Sequence, residues 1–193
     1  MSLFAETAFA DAAACGDLAE VKVLLQKQNP ALDAAIINQT DKDGKNAFHY
    51  SCLNDDAPLL STLLADHRVD PLKRSPNEDT GLHMASLYAA LQSMQLLKQD
   101  GRIALDSQNK YGETPLHLCA GSGDKGAAKA AALLLDFGAN LTVTDKWKRG
   151  PMVRVYAGRG VHTPTGHMTY LFLKKEGICR DWLIIQKLMC DLL

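Results

Sequence analysis

The chain has 193 residues, 47% of them apolar, and its 21 Lys and Arg set against 22 Asp and Glu leave a net charge of −1 at pH 7. That suits one domain or one solenoid with an ample core, and it argues against a protein that tracks nucleic acid by bulk charge. No apolar run approaches the roughly 18 residues of a membrane span, and Glu6 and Asp11 without a basic stretch give no expectation of a secretory signal.

Taken in chain order, the first unit is Phe9 to Leu25, in which the small residues Ala12 and Ala13 precede Gly16 and then Val21, Leu24 and Leu25. An enlarged link from Gln26 to Lys42 leads to a second unit with Asn46-Ala47-Phe48-His49-Tyr50-Ser51-Cys52, closed by Leu59-Leu60-Ser61-Thr62-Leu63-Leu64. Here Asp55-Asp56 replaces a turn glycine, and Pro58 falls at a helix start, where proline is tolerated. The third unit carries Thr80-Gly81-Leu82-His83-Met84-Ala85 and ends at Met94-Gln95-Leu96-Leu97. Its Glu78 stands where the neighbours have Gly44 and Gly112, so a different turn is expected there. The fourth unit is the most regular: Gly112-Glu113-Thr114-Pro115-Leu116-His117-Leu118-Cys119-Ala120, about two extra residues around Gly123 to Ala132, then Leu133 to Asn140.

His49, His83 and His117 are 34 positions apart. Thr-Pro puts a hydroxyl cap and a proline in the first helical turn, where the missing N–H costs nothing. Small residues let the first helix approach its neighbours, and apolar positions at i, i+3, i+4 make a stripe on the second. One helix pair cannot bury both flanks, so each unit needs the next. Four units in register resemble the ankyrin repeat family over most of the chain. The resemblance implies an all-α ankyrin-repeat solenoid of about five helix-turn-helix repeats with β-hairpin-like finger loops. The expected repeats are about 5–42, 43–76, 77–110 and 111–144, followed by an expanded finger at 145–164 and a capping repeat at 165–193.

Beyond Asn140 two registers are open. One starts a fifth repeat at Gly150-Pro151-Met152. The preferred one delays the helices to residues 165–177 and 178–193. In it Met152 to Tyr156 and Val161 to Thr163 flank the turn signal Ala157-Gly158-Arg159-Gly160.

Chemistry signals are sparse. Gly121-Ser122-Gly123-Asp124-Lys125-Gly126 fits a dinucleotide-loop pattern, but it follows a helix signature where that loop follows a strand. The periodic histidines would sit about 10 Å apart in stacked helices, too far for a shared zinc whose ligands lie about 2 Å from the ion. Backbone hydrogen bonding between repeats is the expected role, which the resemblance also implies. His162 and His167 have no partner at ligand spacing. Five cysteines without CxxC spacing, two of them at small-residue positions (Cys52 and Cys119), suit a reducing cytoplasmic or nuclear setting. No catalytic constellation, cofactor site or metal site is expected.

Charge is unevenly spread. Residues 1–100 hold 8 Lys and Arg against 14 Asp and Glu, whereas residues 101–193 hold 13 against 8. The excess gathers in Lys146, Lys148, Arg149, Arg154 and Arg159. The family's variable positions fall on finger tips Asp43, Asn77, Tyr111 and Trp147, and on a first-helix face with Tyr50, Met84, Leu118, Leu87 and Tyr88. Expected partner-binding residues are Tyr50, Leu87, Tyr88, Tyr111, Lys146, Trp147, Lys148, Arg149, Arg154 and Arg159, with Trp147 the foremost because exposed Trp, Tyr and Arg dominate interface energetics. The leading expectation is a monomeric adaptor, inhibitor or assembly factor binding a protein, one with an acidic patch on one reading of the charge. The alternative is an anion-binding module that contacts nucleic acid or acidic lipid through Lys146 to Arg159, and a third reading is a piece of a larger protein.

Overall fold

The computed structural model describes residues 9, 11–26, 34–122 and 126–151, and within them the 34-residue period becomes a repeated helix pair. The helices are α1 (Leu18–Gln26), α2 (Ala34–Ile37), α3 (Ala47–Leu53), α4 (Ala57–Ala65), α5 (Gly81–Leu87), α6 (Leu91–Asp100), α7 (Pro115–Gly121) and α8 (Ala127–Asp136). Residues 11–15 are helical as well. No strand occurs among the described residues, and no helix there is long and apolar enough to cross a membrane.

Helices α3, α5 and α7 pack side by side as a first row, and α4, α6 and α8 as a second row to which α1 adds at the N-terminal end. The core runs unbroken between the rows. Phe48, Leu60, Leu63, Leu82, Met94, Leu97, Leu116 and Leu134 are each at most 3% exposed. Burying side chains of this size stabilises by roughly 1.5–3 kcal/mol apiece, and helices of adjacent repeats pack directly on one another. The expected all-α repeat solenoid is therefore what forms.

Where a turn glycine was missing, the chain keeps the turn. Asp55 (φ 56°) and Ala89 (φ 52°) adopt the left-handed conformation that Gly16 (φ 74°) takes in the first repeat, at a cost of about 1–2 kcal/mol for a residue with a Cβ. Asp55 offsets some of that. Helix α6 has Ala90 at its N-cap, with no capping side chain, and Asp55 Oδ1 accepts the N–H of Ser93 at 2.8 Å instead. The cap of one repeat's second helix thus comes from the repeat before it. In the fourth repeat the link from α7 to α8 spans residues 122–126, against 88–90 in the third, which locates the two extra residues.

Arginines tie the second row. Arg68 forks onto Asp66 (2.6 Å) and donates to Leu25 O at 3.2 Å, and Arg102 repeats the arrangement with Asp100 (2.6 Å) and Leu64 O at 3.1 Å. Each salt bridge stays at its own repeat while its guanidinium reaches the previous one.

Candidate functional site

Four finger loops precede α3, α5, α7 and residue 151, and a single side chain organises each. Asp41 Oδ1 accepts the N–H of Asp43 and Lys45, Ser75 Oγ those of Asn77 and Asp79, Asn109 Oδ1 those of Tyr111 and Glu113, and Asp145 Oδ1 those of Trp147 and Arg149. A short acceptor at this place satisfies two backbone donors that the tight turn leaves orphaned. The backbone closes the same loops: Asp41 N–H to Lys45 O, Ser75 to Asp79, Asn109 to Glu113 and Asp145 to Arg149, all at 2.9–3.0 Å. The fourth residue of each finger is left-handed, with Gly44 at φ 70°, Glu78 at 61°, Gly112 at 75° and Lys148 at 58°. The different turn expected at Glu78 does not occur: the loop's hydrogen bonds impose the same conformation on a glutamate.

Histidines bind each finger to the next. In α5, Thr80 N–H donates to His83 Nδ1 at 3.1 Å and the ring reaches Glu113 O through Nε2 at 2.9 Å. A backbone N–H can only donate, so Nδ1 is the acceptor and Nε2 carries the proton. His117 makes the equivalent contacts with Thr114 N–H and Arg149 O. His49 accepts from Asn46 N–H but reaches Lys73 O, just outside the second finger. Burial holds His49 and His83 below the usual imidazole range, because a buried ring resists charging. These contacts bear out the expected backbone role of the histidines.

The tips of fingers 3 and 4 are the most distinctive surface. Trp147 is 57% exposed and Tyr111 38%, their rings are stacked with centroids 6.3 Å apart and planes 18° apart, and Lys146 N–H bonds Tyr111 O at 3.0 Å. Arg149 lies 4.6 Å from the Trp147 ring centroid, and its guanidinium grips Asp145 Oδ2 through Nε at 2.8 Å and Nη2 at 2.7 Å. Burial alone would raise the Asp145 carboxyl, but Arg149 and two backbone N–H groups outweigh it and hold the carboxyl below its usual range. Arg149 is therefore a charge-neutralised prop for the indole, and the exposed cations of this tip are Lys146 and Lys148.

The remaining expected residues are more scattered. Tyr50 is only half-buried, but its hydroxyl donates to Asp41 Oδ2, which pushes the phenol up to about 12 with help from burial. That commits Tyr50 to its own finger. Leu87 (39% exposed) and Tyr88 (49%) end α5, about 10 Å along a seven-residue helix from the fingers. Met84, expected on the exposed first-helix face, is 6% exposed and belongs to the core, since the close approach of the first-row helices covers it. Arg154 and Arg159 lie outside the described residues, as do the capping repeat at 165–193 and His162 and His167. The fourth finger closes at Arg149 and residue 151 is already helical. Residues 152–164, on which the choice between the two registers and the expanded finger at 145–164 rests, lie outside the described residues. Gly121 ends α7 and Gly126 caps α8, so the glycine-rich stretch joins two helices; residues 123–125 are not described. Among the described residues no group of His, Cys, Asp and Glu is gathered for a metal.

The pattern that organises the fingers was not singled out in the sequence. A small polar residue at positions 41, 75 and 109 follows the 34-residue period, and at 145 it shifts by the two inserted residues.

Comparison with known proteins finds a family match over the middle of the chain. Residues 54–145 match the model of ankyrin repeats in three copies. Over 107 residues, 55% of this chain, the sequence is 31% identical to the nuclear factor NF-kappa-B p105 subunit of Mus musculus, and the match spans 11% of that protein's length.

Proposed function

Residues 54–145 of this chain are ankyrin repeats, and from that premise we propose that the protein is a non-catalytic interaction module whose finger and first-helix face docks a protein partner, with fingers 3 and 4 as the anchor. Ankyrin repeats are in general protein-binding modules, and the family supplies the class of function. The observation that supports the location is Trp147, a large amphipathic ring 57% exposed and backed by Arg149, which is itself anchored on the buried Asp145 carboxylate. Hot-spot side chains are typically aromatics or arginines that arrive already ordered, because ordering a flexible side chain on binding costs about 0.5–1.5 kcal/mol. Desolvation pushes the Cys52 thiol far up and that of Cys119 up to about 12, so neither of these two thiols ionises near neutrality.

Quantitative capture from a cell lysate tests the reading. The intact chain is compared with Trp147→Ala and with a control altered on the second row, Gln92→Ala/Gln95→Ala, after circular dichroism shows equal helicity. The expected result is that Trp147→Ala loses the main bound protein at least tenfold while the control keeps it. Equal retention by Trp147→Ala, or loss in the control alone, overturns the assignment to the fingers.

A further inference from the structure

Three features of fingers 3 and 4 together define the chemistry of an occupant. The Tyr111 and Trp147 rings repeat at 6.3 Å, and side chains on one face of an extended strand recur at roughly 6.6 Å, twice the rise per residue. Two successive same-face side chains of an extended segment can therefore meet one ring each. The charge around the rings is one-sided. Lys146 and Lys148 are exposed and have no ion-pair partner among the described residues, and the Lys110 ammonium lies 5.0 Å from the Tyr111 ring centroid. The two acids of these fingers are turned inward: Glu113 is 7% exposed and Asp145 5%, the second gripped by Arg149. Finger 2 carries exposed Glu78 at its turn with exposed Arg74 at its base, and finger 1 mixes exposed Lys42 with exposed Asp43.

We propose, on the interaction-module reading, that fingers 3 and 4 receive an extended acidic segment of a protein partner, with apolar or aromatic residues at i and i+2 on the two rings and carboxylates on Lys110, Lys146 and Lys148. Glu78 repels an acidic continuation toward finger 2 and so sets the direction in which the segment lies. Arg149 is a positioning residue: its charge is spent on Asp145, and it fixes the indole in place.

Synthetic peptides test this directly. The full chain carrying Trp182→Phe leaves Trp147 as its one tryptophan, so its emission reports the site. The probes are Glu-Glu-Phe-Glu-Phe-Glu-Glu, the same peptide with every Glu replaced by Lys, and Glu-Glu-Phe-Glu-Glu-Phe-Glu, whose aromatics have helical spacing. The first is expected to perturb Trp147 emission saturably, at least tenfold more tightly than the lysine peptide and at least threefold more tightly than the respaced one, and to weaken as salt rises. Lys146→Glu/Lys148→Glu is expected to weaken it at least tenfold with helicity unchanged. Arg149→Lys keeps the charge but is expected to lower the fluorescence anisotropy of Trp147 in the free protein and to bind as weakly as Arg149→Ala. Preference for the lysine peptide or for the helical spacing, or no saturable response to any peptide, overturns the proposal. The capture experiment is independent, so a partner lost with Trp147→Ala while the acidic peptide fails would reject the acidic occupant and leave the interaction module standing.

Discussion

Two kinds of junction between adjacent fingers are held in different ways. Finger 4 is tied to finger 3 by Lys146 N–H on Tyr111 O, by His117 Nε2 on Arg149 O and by Gln108 Nε2, which bridges Gly112 O and Thr144 O at 2.7 and 3.0 Å. Finger 3 is tied to finger 2 in the same manner, with Lys110 N–H on Asn77 O and Arg74 spanning Glu78 O and Gln108 O. Between fingers 1 and 2 the corresponding donor is Pro76, which has no N–H. The short Thr40 stands where Arg74 and Gln108 bridge, and His49 reaches Lys73 rather than the finger. Packing takes over there. The Pro76 ring sits where a Cβ on Gly44 would come within 2.2 Å of Cγ, and Asn38 braces the loop behind by donating to Arg68 O and accepting from Asp70 N–H, both at 2.7 Å. A repeat tolerates the loss of directional ties where its surface is plain polar. The ties are kept at the end that displays Trp147, where, under the proposed docking role, a fixed anchor saves ordering cost on binding.

The largest effect that separates the two junctions comes from adding one methyl group. Gly112→Ala places a Cβ 2.8 Å from the backbone N of Lys146 and 3.2 Å from the Asp145 carbonyl carbon. It also imposes the left-handed cost, so a loss of about 3 kcal/mol is expected. Gly44→Ala meets the Pro76 ring instead and is expected to cost a similar amount. The difference lies in rescue. Adding Pro76→Ala to Gly44→Ala should recover at least 1 kcal/mol in urea denaturation, whereas no side-chain change relieves a clash with backbone. If Gly44→Ala is no better in the Pro76→Ala background, packing on the ring is not what holds fingers 1 and 2.

Much of this was legible before any coordinates. The period, the helix caps, the histidine role and the prominence of Trp147 follow from residue type and spacing, because caps and periodic apolar stripes are local. Pairing was not legible. Arg149 looks like a free cation in sequence, and only the fold shows its charge taken by Asp145 four residues earlier. Met84 sits beside His83 in a pattern that gives no sign of how closely the neighbouring helices approach. Glu78, held by the hydrogen bonds of its own loop, and Asp55, which accepts the Ser93 N–H, show that hydrogen bonding overrides a preference for glycine, so the missing glycines misled at finger 2. The last register gained least, since it depends on residues beyond 151.

Acid attacks a tie that both kinds of junction use, and its expected effect is smaller. His49 and His83 are held below the unfolded imidazole value, mainly by burial. A group with a depressed folded pKa binds fewer protons in the folded than in the unfolded chain, so stability is whole above about pH 6.5 and falls as pH drops below it. Each histidine can contribute up to about 1.4 kcal/mol per pH unit in that window, and a loss of about 1–2 kcal/mol is expected between pH 7.5 and 5.5. Asp41, Asp66, Asp100 and Asp145 are also held low. Their contribution is present above the usual carboxylate range and is lost only below about pH 4, so the two effects separate along the pH axis. A urea midpoint that stays level from pH 7.5 to 5.5 would show that the rings accept a proton without breaking the ties.

The smallest expected effect is a gain, and it tests whether the stack can be completed by analogy. Asn38 Oδ1 accepts Asp70 N–H at 2.7 Å, and Asp106 Oδ1 accepts Asn140 N–H at 2.9 Å. The residue midway in the period is Leu72, 55% exposed, whose side chain cannot accept. Leu72→Asp offers an acceptor to the next repeat at Ala104, the position equivalent to Asp70 and Asn140, and exposing less apolar surface there has no folding cost. One such hydrogen bond at a partly exposed site is worth about 0.5–1 kcal/mol, so the urea midpoint should rise, and the Ala104 amide should gain protection in hydrogen exchange. Leu72→Asn should do the same without the charge. If both variants leave the midpoint and the Ala104 amide unchanged, the outer braces at Asn38 and Asp106 follow from the local loop shape, and the second and third repeats are held by their core and fingers without them.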